Sequence, residues 1–187
     1  MADNELPKRK TARLRGFDYS TSGAYFVTVC VQDRKSILSE ITAKNDDNEV
    51  GEGLAPPATR NQSFVDANVV LKPCGEIAEE QLFALEKRYD GLKISDYVIM
   101  PEHIHAIIII SERAGGASPS PTLNDVICTF KSLTAKQCKA VCGVEKIFQR
   151  SYFDHIIRDN DDYRKHRNYI VDNPRKRLLE EKLSKDE

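Results

Sequence analysis

Two apolar runs, Ile94–Met100 (ISDYVIM) and His103–Ile110 (HIHAIIII), are separated by only Pro101-Glu102. Both are rich in β-branched residues, and a two-residue joint leaves no room for the crossover that parallel strands need. They are therefore expected to pair as an antiparallel hairpin. On such a strand His103 and His105 leave the same face while Ile104 points to the other. Two neutral imidazoles side by side make half of a divalent-metal site. By spacing alone, histidines beside an apolar run are more often satisfied core or surface residues than ligands.

The other elements are read around this hairpin. Gly23–Gln32 (GAYFVTVCVQ) reads as a buried first strand, Val27, Val29 and Val31 alternating with Phe26, Thr28 and Cys30. Val69–Leu71 reads as a short strand, and Ile77, Leu82 and Leu85, with Ala78 and Ala84, place a helix over Gly75–Arg88, ended by Gly91. Leu123, Val126, Ile127, Phe130 and Leu133 share one face of a helix over Leu123–Val141. Ile147–Ile157 is a further strand candidate. Asp159–Asp172 is a third helix, expected to stop at Asn173-Pro174. The order is strand, helix, strand, strand, helix, strand, helix. That predicts an α+β chain with a ferredoxin-like (split βαβ) antiparallel sheet, helices on one face and an additional C-terminal helix.

At 187 residues the chain suits one packed domain. The expected divisions are a basic N-terminal arm over 1–15, a single domain over 16–180, and a charged tail over 181–187. The polar, turn-rich stretch Ile41–Asn68 reads as an insertion and Ala114–Pro121 as a loop. No run of about 18 apolar residues exists and the opening residues lack a signal-peptide pattern, so the expectation is a cytoplasmic protein without membrane contact. With 28 basic and 29 acidic residues the net charge is −1, so a polyanion partner would have to be bound locally. Five cysteines in apolar contexts read as reduced thiols, and Cys138 and Cys142, four apart, lack the companions of a zinc set.

The octet Met100-Pro101-Glu102-His103-Ile104-His105-Ala106-Ile107 strongly resembles the His-hydrophobe-His motif of the IS200-like transposases, particularly the REP-associated tyrosine transposases. Gln149–Asp159 (QRSYFDHIIRD) resembles the family's segment before its tyrosine helix, and Asn168–Pro174 (NYIVDNP) its tyrosine motif. Phe26–Val29 is similar to the first strand and Thr129–Ser132 to the second-helix segment, so the resemblance covers roughly residues 15–180 outside the insertion and loop. It implies a single-stranded DNA transesterase of the HUH type, with His103 and His105 as ligands of Mg2+ or Mn2+ and Tyr169 as nucleophile. It further implies a 5′-phosphotyrosine intermediate, hairpin-forming repeats as substrate, and action in cis by a monomer.

The residue types agree with that chemistry. A phosphodiester's charge repels nucleophiles, and a metal on two imidazoles offsets it. A tyrosine oxygen then yields a covalent ester rather than a hydrolysed product. Asn173, one helical turn after Tyr169, matches the position of the family's third, polar ligand; helix C-capping before Pro174 is the alternative. His166, three residues before Tyr169, reads as an assisting phosphate contact, another ligand, or a solvated residue. His155 reads as an assisting or structural histidine. Arg150, Arg158, Arg164, Lys165, Arg175 and Lys176 could follow a DNA backbone, or form a mixed-charge face with Asp159, Asp161 and Asp162. Two other readings stand beside this one: a non-catalytic RRM-like nucleic-acid-binding module, and a metal phosphoesterase in which water attacks.

Overall fold

The computed structural model describes residues 22–43, 67–111 and 121–183. Residues 1–21, which include the expected basic arm, most of the expected insertion (44–66), residues 112–120, which hold most of the expected loop, and residues 184–187 of the expected tail lie outside them. The elements are β1 (Gly23–Cys30), β2 (Ser39–Ala43), β3 (Ala67–Leu71), α1 (Pro73–Arg88), β4 (Leu92–Met100), β5 (His103–Ile110), α2 (Leu123–Cys142), β6 (Phe153–Ile157) and α3 (Asn160–Leu183). One antiparallel sheet runs β4-β5-β1-β6, and β2 and β3 form a separate two-stranded ribbon. Leaving the ribbon aside, this is the expected split βαβ order, with the β4–β5 hairpin turning at Pro101-Glu102.

Both faces of the sheet are covered, which divides the apolar residues into two cores. Tyr25, Val27 and Val29 of β1 and Ile104, Ala106, Ile108 and Ile110 of β5 pack with Ile77, Leu82 and Leu85 of α1 and Val126, Ile127 and Phe130 of α2. On the opposite face Val98, Met100 and Ile107 meet Ile170 of α3 together with Ile41 and Ala67 of the ribbon. Burying both faces explains why β5 reads as an almost unbroken apolar run rather than an alternating one. No helix among the described residues is long and apolar enough to cross a membrane.

Local chemistry sets the helix ends. Thr122 and Asp125 form a reciprocal capping box on α2, whose far end is closed by Gly143 in the left-handed region (φ 68°). Pro73 stands in the first turn of α1, where its missing N–H costs nothing.

Three expectations are corrected. First, the stretch assigned to an insertion from residue 41 begins and ends in strands: Ser39–Ala43 pairs with Ala67–Leu71, held to β4 where Ser39 Oγ donates to the Ile99 carbonyl at 2.7 Å. Second, the strand expected over Ile147–Ile157 is only Phe153–Ile157, with Tyr152 outside it; upstream, Phe148 makes a lone bridge to Val31. Between them Lys131 Nζ donates to the carbonyls of Gln149 (2.5 Å) and Arg150 (2.9 Å), which occupies acceptors a sheet ladder would otherwise use. Third, α3 does not stop at Asn173-Pro174 but runs through Pro174 to Leu183, so Asn173 caps no helix end. Proline removes one backbone donor. Packing of Ile170, Val171 and Leu178 into the second core, with Pro174 itself buried, holds the helix together across it.

Candidate active site

Strand register gathers the site. Cross-strand partners share a face: Thr28 lies opposite both His105 and Phe153, Phe26 opposite Ile107 and His155, and Cys30 opposite His103. His103, His105, Thr28, Phe26 and His155 therefore all project toward α3. The helix is clamped in place on β4 by Asp96, whose carboxylate accepts from the Tyr163 hydroxyl at 2.7 Å and from Arg167 Nε at 3.2 Å. Ser95 Oγ adds a contact to the Tyr163 oxygen at 2.5 Å. With that phase fixed, Tyr169 comes against His105, ring centroids 5.1 Å apart and edge to face.

His105 is 4% exposed, and burial, with His103 next, pushes its imidazole down to about 3. It is thus neutral at ordinary pH. Its Nδ1 lies 2.8 Å from Thr28 Oγ1, and when that nitrogen carries the proton the lone pair sits on Nε2. Nε2 is buried with no hydrogen-bond partner, as is Nδ1 of His103, whose ring centroid lies 4.5 Å away. One carboxylate oxygen of Glu102 is also buried and unpaired, while the other lies 3.4 Å from His103 Nδ1 and 3.6 Å from the Arg177 guanidinium. The His103 contact holds the Glu102 carboxyl below its usual range despite its burial. A buried His105 nitrogen and a buried Glu102 carboxylate oxygen without partners are each costly unless a cation or another polar group uses them. The adjacent imidazoles of His103 and His105 are of the type that ligates a divalent metal and supply half of such a set.

Tyr169 is 42% exposed and lines an open cleft of about 500 Å3 with Phe26, Lys165, His166, Asn168, Asp172 and Lys176. Lys176 Nζ stands 5.6 Å over the Tyr169 ring. Phe26 joins the parts: its ring stacks on His105 (5.3 Å), tilts against His166 (4.7 Å) and meets Tyr169 edge-on (5.9 Å). Asn173 follows one turn later, half buried.

Of the residues expected from sequence, His103, His105, Tyr169 and His166 converge here, and among the six basic candidates Lys165 and Lys176 line the cleft. Arg150, Arg158, Arg164 and Arg175 are exposed, and Arg164 is engaged with Asp161 at 3.3 Å. His155 pairs instead with Asp162, Nε2 to Oδ2 2.8 Å. All five cysteines are free thiols. Thr28, Asp96 and the ring role of Phe26 were not singled out from sequence, because each depends on a partner far along the chain, and neither was Glu102. Glu102 alone carried a local signal, as a carboxylate inside the histidine motif.

No family model matches the chain. It is 24% identical over 181 residues to an uncharacterized protein of Haemophilus influenzae, covering 89% of this chain and 88% of that one. It is 33% identical over 88 residues to the REP-associated tyrosine transposase of Escherichia coli, an alignment spanning 47% of each chain. In fold it is similar to a solved REP-associated tyrosine transposase bound to a REP hairpin, with a TM-score of 0.51, 21% identity, and coverage of 83% of this chain and 68% of that one. The resemblance to REP-associated tyrosine transposases thus extends beyond the motifs, in sequence over about half the chain and in fold over most of it.

Proposed function

We propose that this chain is a transposase of the REP-associated tyrosine kind, a metal-dependent HUH enzyme that cleaves and rejoins single-stranded DNA at hairpin-forming repeats. The observation carrying this reading is the placement of Tyr169 against the His103–His105 pair within one chain. A Mg2+ or Mn2+ ion held by His103, His105 and an oxygen ligand supplies polarisation of the scissile phosphate. Asn173 is the expected third ligand, with the unpaired Glu102 carboxylate oxygen its competitor.

The chain's own residues do the rest. Thr28 and the Phe26 ring hold His105 in one orientation, so its outward nitrogen is set before substrate arrives. Lys165 and Lys176 give the cleft positive charge for the DNA backbone. Tyr169 loses its phenolic proton as its oxygen bonds to phosphorus; the bond to the 3′ oxygen breaks, and that oxygen leaves as a 3′-OH. The phosphotyrosine ester keeps the bond energy, so a 3′-OH can reverse the step and rejoin the strand. The intrachain contact of Tyr169 with His105 supports a monomer acting in cis.

The test is covalent trapping. Wild-type protein with a hairpin-bearing oligonucleotide and Mg2+ or Mn2+ is expected to form an adduct that survives denaturation. Tyr169→Phe keeps the ring and should bind DNA without forming the adduct. Cleavage without an adduct would indicate attack by water, binding without cleavage an RRM-like module; an adduct from Tyr169→Phe would place the nucleophile elsewhere.

A further inference from the structure

The reaction proposed above gives no task to His155 or Asp162. Yet His155, Asp162 and His166 bring ligand atoms within 4.8 Å of one another. The carboxylate of Asp162 lies between two imidazoles: Oδ2 is 2.8 Å from His155 Nε2 and Oδ1 is 3.2 Å from His166 Nδ1. The rings stack at 4.5 Å with 24° between their planes. Oδ2 also accepts the backbone N–H of Arg158 at 3.2 Å, which fixes the carboxylate from outside the cluster. The sources of the three side chains are independent. His155 comes from β6, on the face shared with Phe26, whereas Asp162 and His166 are four apart on the first turns of α3.

We propose that His155 Nε2, the Asp162 carboxylate and His166 Nδ1 form a second metal site, separate from the His103–His105 pair, that takes a zinc-like first-row divalent cation. Imidazole and carboxylate ligands bind zinc at about 2.0–2.2 Å, which sets neighbouring donors roughly 3–3.5 Å apart. The two carboxylate contacts already lie close to that spacing. Both would-be ligand nitrogens face acceptor oxygens and so donate N–H here, and ligation requires each ring to carry its proton on the other nitrogen, His155 on Nδ1 and His166 on Nε2. The hydrogen bonds given up are that of His155 Nε2 to Asp162 Oδ2, now 2.8 Å, and that of His166 Nδ1 to the Asp162 carbonyl, now 2.9 Å. Arg158 N–H remains as the outer hydrogen bond on the carboxylate.

Three protein ligands with a total charge of −1 leave the ion a net +1 and an open position for water or a phosphate oxygen. The ion joins β6 to α3 one turn ahead of Tyr169. It therefore fixes the start of the helix whose phase places the tyrosine.

Metal uptake by the full chain tests this apart from DNA chemistry. In a metal-stripped His103→Ala/His105→Ala chain, Co2+ as probe should bind at one equivalent, with the visible absorption of a low-coordinate site, and be displaced by Zn2+. His155 is half exposed, so His155→Ala removes a ligand without opening the core. It should weaken Co2+ binding by more than the roughly 10–100-fold lost when only a ligand's outer partner is removed, with the circular dichroism unchanged. If the double variant does not fold, the same substitution in the otherwise wild-type chain should lower the number of bound Co2+ equivalents by one. The proposal is overturned if the folded double variant takes up no Co2+, or if uptake is indifferent to His155→Ala and Asp162→Asn.

Discussion

His105 shows how one side chain is prepared by its neighbours. Register sets it opposite Thr28, burial keeps it neutral, and the Phe26 ring limits its rotation, so an unpaired nitrogen faces the tyrosine helix. His103→Ala or His105→Ala deletes one of the two imidazoles while leaving Ile104 and Ile107 in their cores. Each should cut adduct formation by orders of magnitude, and His105→Ala, which leaves Thr28 Oγ1 without its partner, should also lower stability by about 1–3 kcal/mol. Single-turnover cleavage with and without excess EDTA checks this. Full activity in either variant, or in EDTA, would remove the metal from the mechanism. The two histidines and Tyr169 were legible in the sequence because their pattern is local: HxH on a strand, and a tyrosine in a recognisable motif. Phe26 and Thr28 were not assigned to the site, because only strand pairing brings them beside His105.

At the scale of elements, the seating of α1 depends on close backbone approach. A Cβ added at Gly75 would lie 1.9 Å from the carbonyl oxygen of Leu38, which itself accepts the Lys72 N–H at 2.9 Å and cannot turn away freely. Gly143 is the opposite case, at φ 68° with nothing within 4 Å of an added Cβ. Gly143→Ala should cost about 1–2 kcal/mol from backbone conformation alone. Gly75→Ala should reach about 3 kcal/mol, the upper part of the range for overpacking. Urea unfolding of the two variants side by side decides: equal losses would mean the α1 contact is not tight. The extension of α3 past Pro174 is the element least legible from sequence. A proline normally marks a helix end, and here the long-range burial of Ile170, Val171 and Leu178 outweighs it.

For the whole molecule, the consequence is a sheet closed on both faces, with the His103–His105 pair on the face covered by α3. The Asp96 clamp and the second core seat α3 on its own sheet, so no second copy is needed to bring Tyr169 to His105. Mixing a Tyr169→Phe chain with a His105→Ala chain should therefore leave cleavage absent. Restored adduct formation in the mixture would show that two chains share a site. Light scattering of the wild-type chain should report a monomer under the same conditions.

The amino-acid sequence by itself determined the β4–β5 hairpin and the order of the sheet's strands and helices, which follow from apolar periodicity, and its motif resemblance singled out His103, His105 and Tyr169 as candidates. The tertiary structure alone decided that β2 exists, that α3 continues to Leu183, and that His155 turns to Asp162 and His166. The physical reason is common to all three. Each outcome rests on contacts between distant segments, where the burial of a shared core or a pairing of polar atoms overrides the local preference of a turn-rich stretch or a proline.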